Sequence, residues 1–319
     1  MPVTIELSVA DLAGTRFAVS QLSETISGLQ KLAYGESSSR WVRWARDELS
    51  ARPLALPRTW PLLVTGRPSW PQFLLPAPAG PGTTIDDDLA AMRRTRARDV
   101  RASLRRTYGE ELPATAAELA AHPAAGLREI AAELREAYER LVAPHWDRIR
   151  AVLEADIAHR ARQLTTGGAA RLFADLHPDV RWEDGRLVVA RDRPIELRPG
   201  GLVLLPVVLG PPAVVVKGRS TTRTTLRYPA RGAGTLWAAG TRPAPGRTVR
   251  LLGRHRAALL AALRSPATTT ALARSLGVTP SAVAQHLAIL RENDLVTGQR
   301  IGRTVLYTTT PAGLALLDP

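Results

Sequence analysis

The C-terminal fold is decided by one stretch, residues 268–309, TTTALARSLGVTPSAVAQHLAILRENDLVTGQRIGRTVLYTT. Its pattern predicts two short helices, a tight turn, a long helix, and then a β-hairpin with basic residues at the tip. This order is typical of a winged helix-turn-helix, in which the long helix fits the DNA major groove, about 12 Å wide. We therefore expect duplex DNA to be a partner of this chain.

The turn before the long helix has a clear local signature. Gly277 falls where the first helix must stop, because glycine adopts the left-handed conformation without a Cβ penalty. Thr279 can cap the long helix, and Pro280 suits its first position, where a missing N–H costs nothing. The apolar positions of the long helix recur at four- and three-residue spacing, which predicts that they face inward. They are Val283, Leu287 and Leu290.

The opposite face of the long helix carries side chains suited to DNA. Gln285 and Ser281 can hydrogen-bond to base edges, and His286 can reach a base or a phosphate. In the hairpin, Arg300 and Arg303 flank the tip, where they suit phosphate or the minor groove. The predicted DNA-binding residues are Thr279, Ser281, Ala282, Gln285, His286, Ile289, Arg300 and Arg303.

Two more helices are predicted around this core. The preceding segment, LLGRHRAALLAALRS, predicts one helix, and the segment PAGLALL predicts a short closing helix. The expected packing stripe of the first is Leu251, Leu252, Leu259, Leu260 and Leu263.

The charge of this region supports a nucleic-acid partner. Residues 241–319 hold ten arginines against three acidic residues, a net charge of +7, and the whole chain has a formal net charge of +14. Such an excess supplies the salt-dependent attraction to phosphate that DNA binding needs. The alternative is that the winged unit mediates only protein contacts, as some winged domains do.

The segment LARSLGVTPSAVAQHLAILRENDLVTGQRIGRTVLY resembles the DNA-binding core of ArsR-type transcriptional regulators over about 70 residues. Ala284 stands where that family usually has serine, and Asn293-Asp294 replaces the usual Ala-Gly before the hairpin. The upstream segments DLAGTRFAVSQLSE and LRYPARGAGTLW resemble an N-terminal domain found on an actinobacterial subgroup of these regulators. The resemblance implies a regulator with an added sensing or dimerising module.

The upstream region is predicted to be mixed α/β. Residues 1–240 are expected to be helical to about 180 and strand-rich over 181–230, where Val- and Leu-rich runs alternate with Gly and Pro. These runs are RLVVA, IELR, GLVLLPVVL, AVVVKG and TLRYPA. The fold class is therefore α+β, with a dimerisation and effector region at 1–240 and a winged helix-turn-helix at 245–319.

A small-molecule effector is possible but is not identified by any motif. All seven tryptophans precede the DNA-binding unit, and apolar, aromatic linings are typical of ligand pockets. A tryptophan is, however, more often simply a core residue. The pocket candidates are Trp41, Trp44, Trp146 and Trp182.

Metal binding, which many ArsR-type proteins show, finds little support in the residues, and we expect no metal or other cofactor. The chain has no cysteine, so it has neither disulfides nor thiolate metal sites. The pair Asp156 and His159 shares a helix face but lacks the further ligands that a zinc site needs. Capping, ion pairs with Arg148 or Arg160, or exposure to solvent are the more common roles of such a pair. The closing helix offers only Asp318, so no metal-ligand set is predicted there.

Catalysis is equally unsupported, because the chain has no nucleophile elbow, P-loop or dinucleotide fingerprint. No apolar run approaches a membrane span, and the N-terminus lacks the pattern of a secretory signal. We therefore expect a cytoplasmic, homodimeric regulator, a repressor by family resemblance, that binds a palindromic operator and not a membrane. The alternatives are an enzyme docked by its winged unit and an architectural DNA-binding protein.

Overall fold

The computed structural model describes residues 3–34, 39–66, 70–183, 185–189, 200–217, 223–236, 244–264, 267–301 and 304–317. The predicted run IELR lies outside these residues. The chain is α+β, as predicted, and it forms two compact units. The first comprises Met1–His145 and Ile157–Pro229, and the second comprises Trp146–Asp156 and Ala230–Pro319.

The first unit is largely helical before residue 175. A long helix near its end is kinked at Gly167 and Gly168, where φ of Gly168 is 64°, so the Gly-Gly pair interrupts the helix. The helices are α1 (Val9–Gly14), α2 (Gln21–Tyr34), α3 (Arg40–Ala51), α4 (Trp60–Leu63), α5 (Ile85–Arg93), α6 (Ala97–Tyr108), α7 (Ala114–Ala121), α8 (Pro123–Leu141) and α9 (Trp146–Ala174), whose first turns belong to the second unit. Short 3-10 turns cover Gln72–Leu74 and Ala143–His145.

Two sheets complete the first unit. One is antiparallel, with the order β1 (Val3–Glu6), β4 (Arg186–Val189), β3 (Val180–Glu183). The other has the order β2 (Arg16–Phe17), β5 (Val203–Val207), β7 (Thr225–Pro229), β6 (Val215–Lys217), in which the first three strands are parallel and β6 is antiparallel to β7. The predicted pair of buried strands in GLVLLPVVLGPPAVVV corresponds to β5 and β6.

The four-stranded sheet has one apolar and one mixed face. Leu204 pairs with Leu226, and both belong to an apolar core that also includes Phe173 of α9. Because side chains alternate along a strand, Val203 and its partner Thr225 face the other way. This second face also carries Arg227 and Lys217, and it is described in detail below.

Helix α2 is buried along most of its length and is fixed at its N-terminus by an acidic side chain. Asp88 of α5 accepts hydrogen bonds from the Ser20 hydroxyl (2.7 Å) and the Leu22 N–H (3.4 Å). An acid in the first turn of a helix ordinarily favours the start of that helix through the helix dipole. Asp87 does so, in a capping box with Thr84, whereas Asp88 turns inward and is 1% exposed.

The second unit packs around one apolar core. That core includes Leu260, Leu272, Val283 and Leu317. The elements are α10 (Ala233–Leu236), α11 (Gly246–Leu252), α12 (Arg254–Ala262), β8 (Ala267–Thr268), α13 (Thr269–Leu276), α14 (Pro280–Glu292), β9 (Val296–Ile301), β10 (Thr304–Thr309) and α15 (Pro311–Leu317). The strands form one antiparallel sheet in the order β8-β10-β9.

Two predictions for this unit were wrong: that one unbroken helix would form here, and that Leu251 would be buried. The segment expected to form a single helix is divided by Gly253, which has φ of 79°, into α11 and α12. Leu259, Leu260 and Leu263 are buried as predicted, but Leu251 is 67% exposed because the break changes the direction of the preceding turn. The short strand β8 was not predicted, since two residues carry no alternation to recognise.

We predict that replacing Asp88 with asparagine reduces the pH dependence of stability. Burial raises the pKa of Asp88 to about 7, whereas the unfolded value is about 3.9. The folded chain thus binds more protons between these values, and stability falls as pH rises from about 4 to about 7, by at most about 1.4 kcal/mol per pH unit. In Asp88→Asn, urea unfolding should show a shallower fall.

The matched control is Asp87→Asn. Hydrogen bonds from Thr84 lower the pKa of Asp87, so its contribution has the opposite sign and is lost on acidification. If Asp88→Asn leaves the slope between pH 4 and pH 7 unchanged, Asp88 is ionised in the native chain and the prediction fails.

Candidate nucleic-acid interface

Helices α13 and α14 meet at a turn that matches the sequence signature. Gly277 has φ of 66°, and the Val278 N–H donates to the Ala273 carbonyl at 3.0 Å, which closes the end of α13. The Thr279 hydroxyl accepts from the Ala282 N–H at 3.3 Å, and Pro280 occupies the first turn of α14. Capping and the left-handed glycine therefore fix the angle at which α14 leaves the turn.

Helix α14 separates its apolar and polar positions as predicted. Val283, Leu287 and Leu290 are at most 1% exposed. On the other side, Ser281, Gln285 and Ile289 are exposed, while Ala282 and His286 are half-buried. The exposed side has no charged residue before Arg291, and it ends at Glu292. The exposed side of α14 therefore presents hydroxyl, amide and apolar groups, while the buried apolar residues on its other side hold the helix in place.

His286 makes an unpredicted ring contact within the unit. Its imidazole stacks on His255 of α12, with ring centroids 5.9 Å apart and planes inclined by 5°. The two residues lie on separate helices, so no spacing in the sequence indicates that they meet. The contact places His286 at the edge of the exposed surface of α14 and fixes its orientation toward α12.

The turn from α14 into the hairpin is formed by Asn293 and Asp294, the two residues that replace the usual Ala-Gly of ArsR-type regulators. Asp294 has φ of 54°, the left-handed conformation that an Ala-Gly sequence would adopt through its glycine. The Asn293 side chain donates to the Ile289 carbonyl at 2.8 Å, and the Leu295 N–H donates to the Leu290 carbonyl at 2.9 Å. The substituted turn therefore closes the helix with its own hydrogen bonds.

Strands β9 and β10 form the predicted hairpin, with Thr304 opposite Ile301 and Val305 opposite Arg300. For Arg300 only the backbone is described, and Arg303 lies outside the described residues. Arg256 and Arg264 are half-buried, but four other arginines of residues 244–317 are exposed, which agrees with an attraction to phosphate. The exposed four are Arg247, Arg250, Arg254 and Arg291.

The four candidate pocket tryptophans have separate environments. Trp41 is fully buried against Gly28, and its Nε1 donates to the Leu141 carbonyl at 3.2 Å, which is a core role. Trp44 and Trp182 are half-buried: the first packs edge-on against His145 at 4.2 Å, and the second stacks on Phe173 at 5.4 Å.

Trp146, the fourth candidate, is half-buried and begins α9 in the second unit. Two grooves on the first unit, of about 140 and 290 Å³, have no tryptophan in their lining. The four tryptophans therefore offer no shared pocket as a set, and their role in ligand binding stays a prediction.

The acid and histidine pair on α9 has protein partners. Asp156 accepts from the Arg231 N–H at 3.1 Å, and His159 lies 3.8 Å from the Asp175 carboxylate. In the part of the chain that the structure describes, no three His, Asp or Glu side chains are grouped as a metal site would require. No helix there is long and apolar enough to span a membrane.

Two protein-family models match separate parts of the chain. Residues 251–299 match the family described as a helix-turn-helix domain, and residues 81–234 match DUF5937, a family of unknown function. No curated protein and no solved structure matches the chain. The family match and the geometry of α13 and α14 together make the C-terminal unit a winged helix-turn-helix, the DNA-binding domain of a transcriptional regulator.

We predict that the main role of Thr279 in stability is to cap α14. Thr279→Ala should lower the free energy of unfolding by about 1 kcal/mol, because the Ala282 N–H loses its acceptor, whereas Thr279→Ser should restore it. Thr297→Ala, on an exposed position of β9, is the control. Denaturant unfolding measures all three, and equal stabilities for Thr279→Ala and Thr279→Ser would contradict a capping role.

Proposed function

We propose that the chain is a sequence-specific transcriptional regulator that binds DNA as a homodimer, acts as a repressor and responds to a small organic effector. The single observation that supports it best is the exposed polar surface of α14, backed by buried leucine and valine. A helix held in this way can enter a major groove without rearrangement. The N-terminal unit supplies dimerisation and effector binding in this proposal.

Two features favour base contacts over a purely structural use of α14. Gln285 lies in the middle of the exposed face, where its amide can donate to and accept from adenine. Ser281 lies one turn earlier on the same face, near the capped N-terminus that points toward a phosphate in many helix-turn-helix complexes. A domain used only for docking proteins has no need of this arrangement.

A homodimer would determine how the two α14 helices are spaced on the DNA. Two copies related by a twofold axis would present two α14 helices to a palindrome with half-sites about one or two helical turns apart. The repressor role follows from the resemblance to ArsR-type regulators, which also makes release by an effector the expected form of control. The absence of cysteine directs that expectation toward an organic effector rather than a thiolate-bound metal.

The proposal is tested by selecting binding sites from a random duplex library and by footprinting the DNA upstream of the gene that encodes the chain. A palindromic site bound far more tightly than random duplex supports a regulator. Uniform affinity for all duplexes would instead indicate an architectural protein, and turnover of a substrate would indicate an enzyme.

We predict that Gln285→Ala weakens binding to the selected site by about 1–3 kcal/mol and changes binding to random DNA little. The reason is that a base contact is specific to sequence, whereas a phosphate contact is not. Fluorescence anisotropy with both duplexes at one salt concentration gives the comparison. Equal losses on the two duplexes would assign Gln285 to the DNA backbone.

We also predict a division of labour between the two regions. Residues 241–319 alone should fold, since α12 to α15 enclose an apolar core of their own, and should bind the selected site weakly. Loss of a linked second copy should cost a factor of about 10² or more in affinity. Residues 1–240 should be dimeric and should not bind DNA.

Sedimentation and gel shifts on the two fragments provide the measurement. Full-length affinity in a dimeric 241–319 fragment would move dimerisation out of the upstream region. The role of residues 1–240 would then have to rest on effector binding alone.

A further inference from the structure

Helix α2 presents a buried polar stripe to the mixed face of the four-stranded sheet. Ser20, Ser23, Glu24 and Ser27 follow helical spacing, and each is at most 2% exposed. Glu24 accepts hydrogen bonds from the N–H groups of Val208 and Leu209, both at 2.8 Å, at the end of β5. Polar side chains are rarely this buried unless they are paired. Ser20 donates to Asp88 of α5, and Ser27 donates to the Ser23 carbonyl at 2.6 Å, so the rest of the stripe depends on partners from the sheet.

The sheet supplies two buried cations opposite this stripe. Arg227 of β7 is 2% exposed and donates to the Ser27 hydroxyl, and Lys217 at the end of β6 is 5% exposed. Lys217 pairs with Thr225, so Lys217 and Arg227 lie at neighbouring positions on one face. The apolar remainder of this face is formed by Ala18, Val203 and Leu205.

Several donors in this cluster have no hydrogen-bond partner among the described residues. They are Nε of Arg227, Nζ of Lys217 and the hydroxyl of Ser23, all buried. An unpartnered donor at such depth costs about 1–3 kcal/mol, and more when it is charged. Three of them on facing elements are therefore unusual for a purely structural interior.

Trp70 covers the ammonium group. The Lys217 Nζ lies 3.2 Å from the centre of the Trp70 ring, a close cation–π contact. Trp70 itself is half-buried, so the side chain that contacts the buried ammonium group is partly in contact with solvent. A change at Lys217 would therefore alter the surroundings of a fluorescent side chain.

The charges of the cluster do not balance. Glu24 is the buried carboxylate that faces the sheet, while Asp88 lies on the far side of Ser20 on α5. Burial raises the pKa of Glu24 to about 7, while the backbone N–H groups of Leu209 and Val208 and the cation Arg227 oppose that rise. Burial lowers the pKa of Arg227 to about 10 and that of Lys217 well below its usual value, and Arg227 adds to the shift of Lys217. Lys31, half-buried on α2, adds a third cation near Glu24.

The two lysines of the chain both interact with this buried cluster. Of 43 basic residues only Lys31 and Lys217 are lysines, and both interact with groups of this cluster. An arginine remains charged when it is buried, whereas a lysine can be held as the neutral amine and take up a proton when an anion arrives. A lysine can therefore remain buried without a counterion as the neutral amine and become a cation when an anion binds.

We propose that the cluster of Ser23, Ser27, Trp70, Lys217 and Arg227 is an effector site for a small organic monoanion, a carboxylate with an apolar body. The carboxylate would accept hydrogen bonds from the three unpartnered donors. Its body would pack on Trp70 and on the apolar part of the sheet face. The inference rests on the proposed function, to which it adds the chemical class of the effector.

The charge count favours a monoanion over phosphate. Lys31 is only half-buried, so solvent screens its charge, and the fully buried groups decide the balance. With Arg227 and Lys217 protonated and Glu24 ionised, one positive charge is left over among them. A single carboxylate neutralises it, whereas a dianion would reverse the imbalance in a buried setting that penalises uncompensated charge. Binding should also be accompanied by proton uptake, because an added anion raises the pKa of Lys217 and of Glu24.

Benzoate is the probe, with benzamide as its neutral isostere and sodium chloride at matched ionic strength as the salt control. On the full chain, benzoate 100-fold above its Kd should raise Tm by roughly 5–10 °C and change tryptophan fluorescence, and benzamide should do neither. Calorimetry in two buffers of different ionisation enthalpy should show proton uptake. Trp70→Phe should abolish the fluorescence change and keep the thermal shift.

Two variants test the residues. Ser23→Ala removes a buried hydroxyl that has no partner, so it should fold normally and weaken benzoate binding about 10-fold. Lys217→Met should weaken it at least as much, while Arg105→Gln, an exposed arginine of α6, should have no effect. The proposal is overturned if neither benzoate nor acetate shifts Tm, or if Ser23→Ala and Lys217→Met bind benzoate as the original chain does.

A gel shift on the selected DNA without benzoate keeps the two proposals distinguishable. Specific DNA binding together with no response to carboxylates would refute the effector site alone. Benzoate binding with no DNA binding would refute the regulator and leave the anion site standing.

Discussion

The first unit depends on joining α2 and β2 to strands that lie almost two hundred residues further along the chain. Backbone hydrogen bonds from Arg16 to Leu202 and from Ala18 to Leu204 pair β2 with β5, at 2.9 and 3.0 Å. The Glu24 carboxylate then binds the two N–H groups that follow β5. Closing so long a loop costs entropy, and these contacts together with apolar burial must repay it.

This constraint explains why polar residues occupy the interior of the unit. The end of β5 leaves backbone N–H groups without a strand partner, and the Glu24 carboxylate satisfies two of them. The N-terminus of α2 has the same need, which Asp88 meets from α5. Burial raises the pKa of both acids to about 7. Their contribution to stability is therefore greatest below about pH 4, the range of their unfolded pKa values, and is lost as the pH rises toward 7.

Sequence alone predicted the second unit far better than the first. Gly277, Thr279 and Pro280 act within a few residues of one another, so their conformational preferences determine the turn locally. The break at Gly253 was missed because the leucines on both sides continue a plausible helical stripe. In that case the glycine, rather than the apolar pattern, decided where the helix ends.

The mixed face of the first unit could not have been predicted by the same reasoning. Glu24 and Asp88 look like ordinary helix-surface acids in the sequence, and nothing local shows that each meets a group 66 or more residues away. The tryptophan beside the buried lysine was also not among the pocket candidates. Trp70 lies in a proline-rich connection without periodicity, so its contact with Lys217 depends wholly on tertiary packing.

The total charge of +14 therefore combines two different physical situations. Several arginines on the second unit, such as Arg250 and Arg254, are exposed, so their charge is available to phosphate and screened by salt. Arg227 and Lys217 are desolvated, so their charge acts only on groups within the same interior. An anion that reached this interior would change the charge state of Lys217, whereas an exposed arginine only sets how strongly the chain is attracted to DNA. In the proposed regulator, the buried cations would respond to the effector, and the exposed arginines would supply the affinity for DNA that the effector modulates.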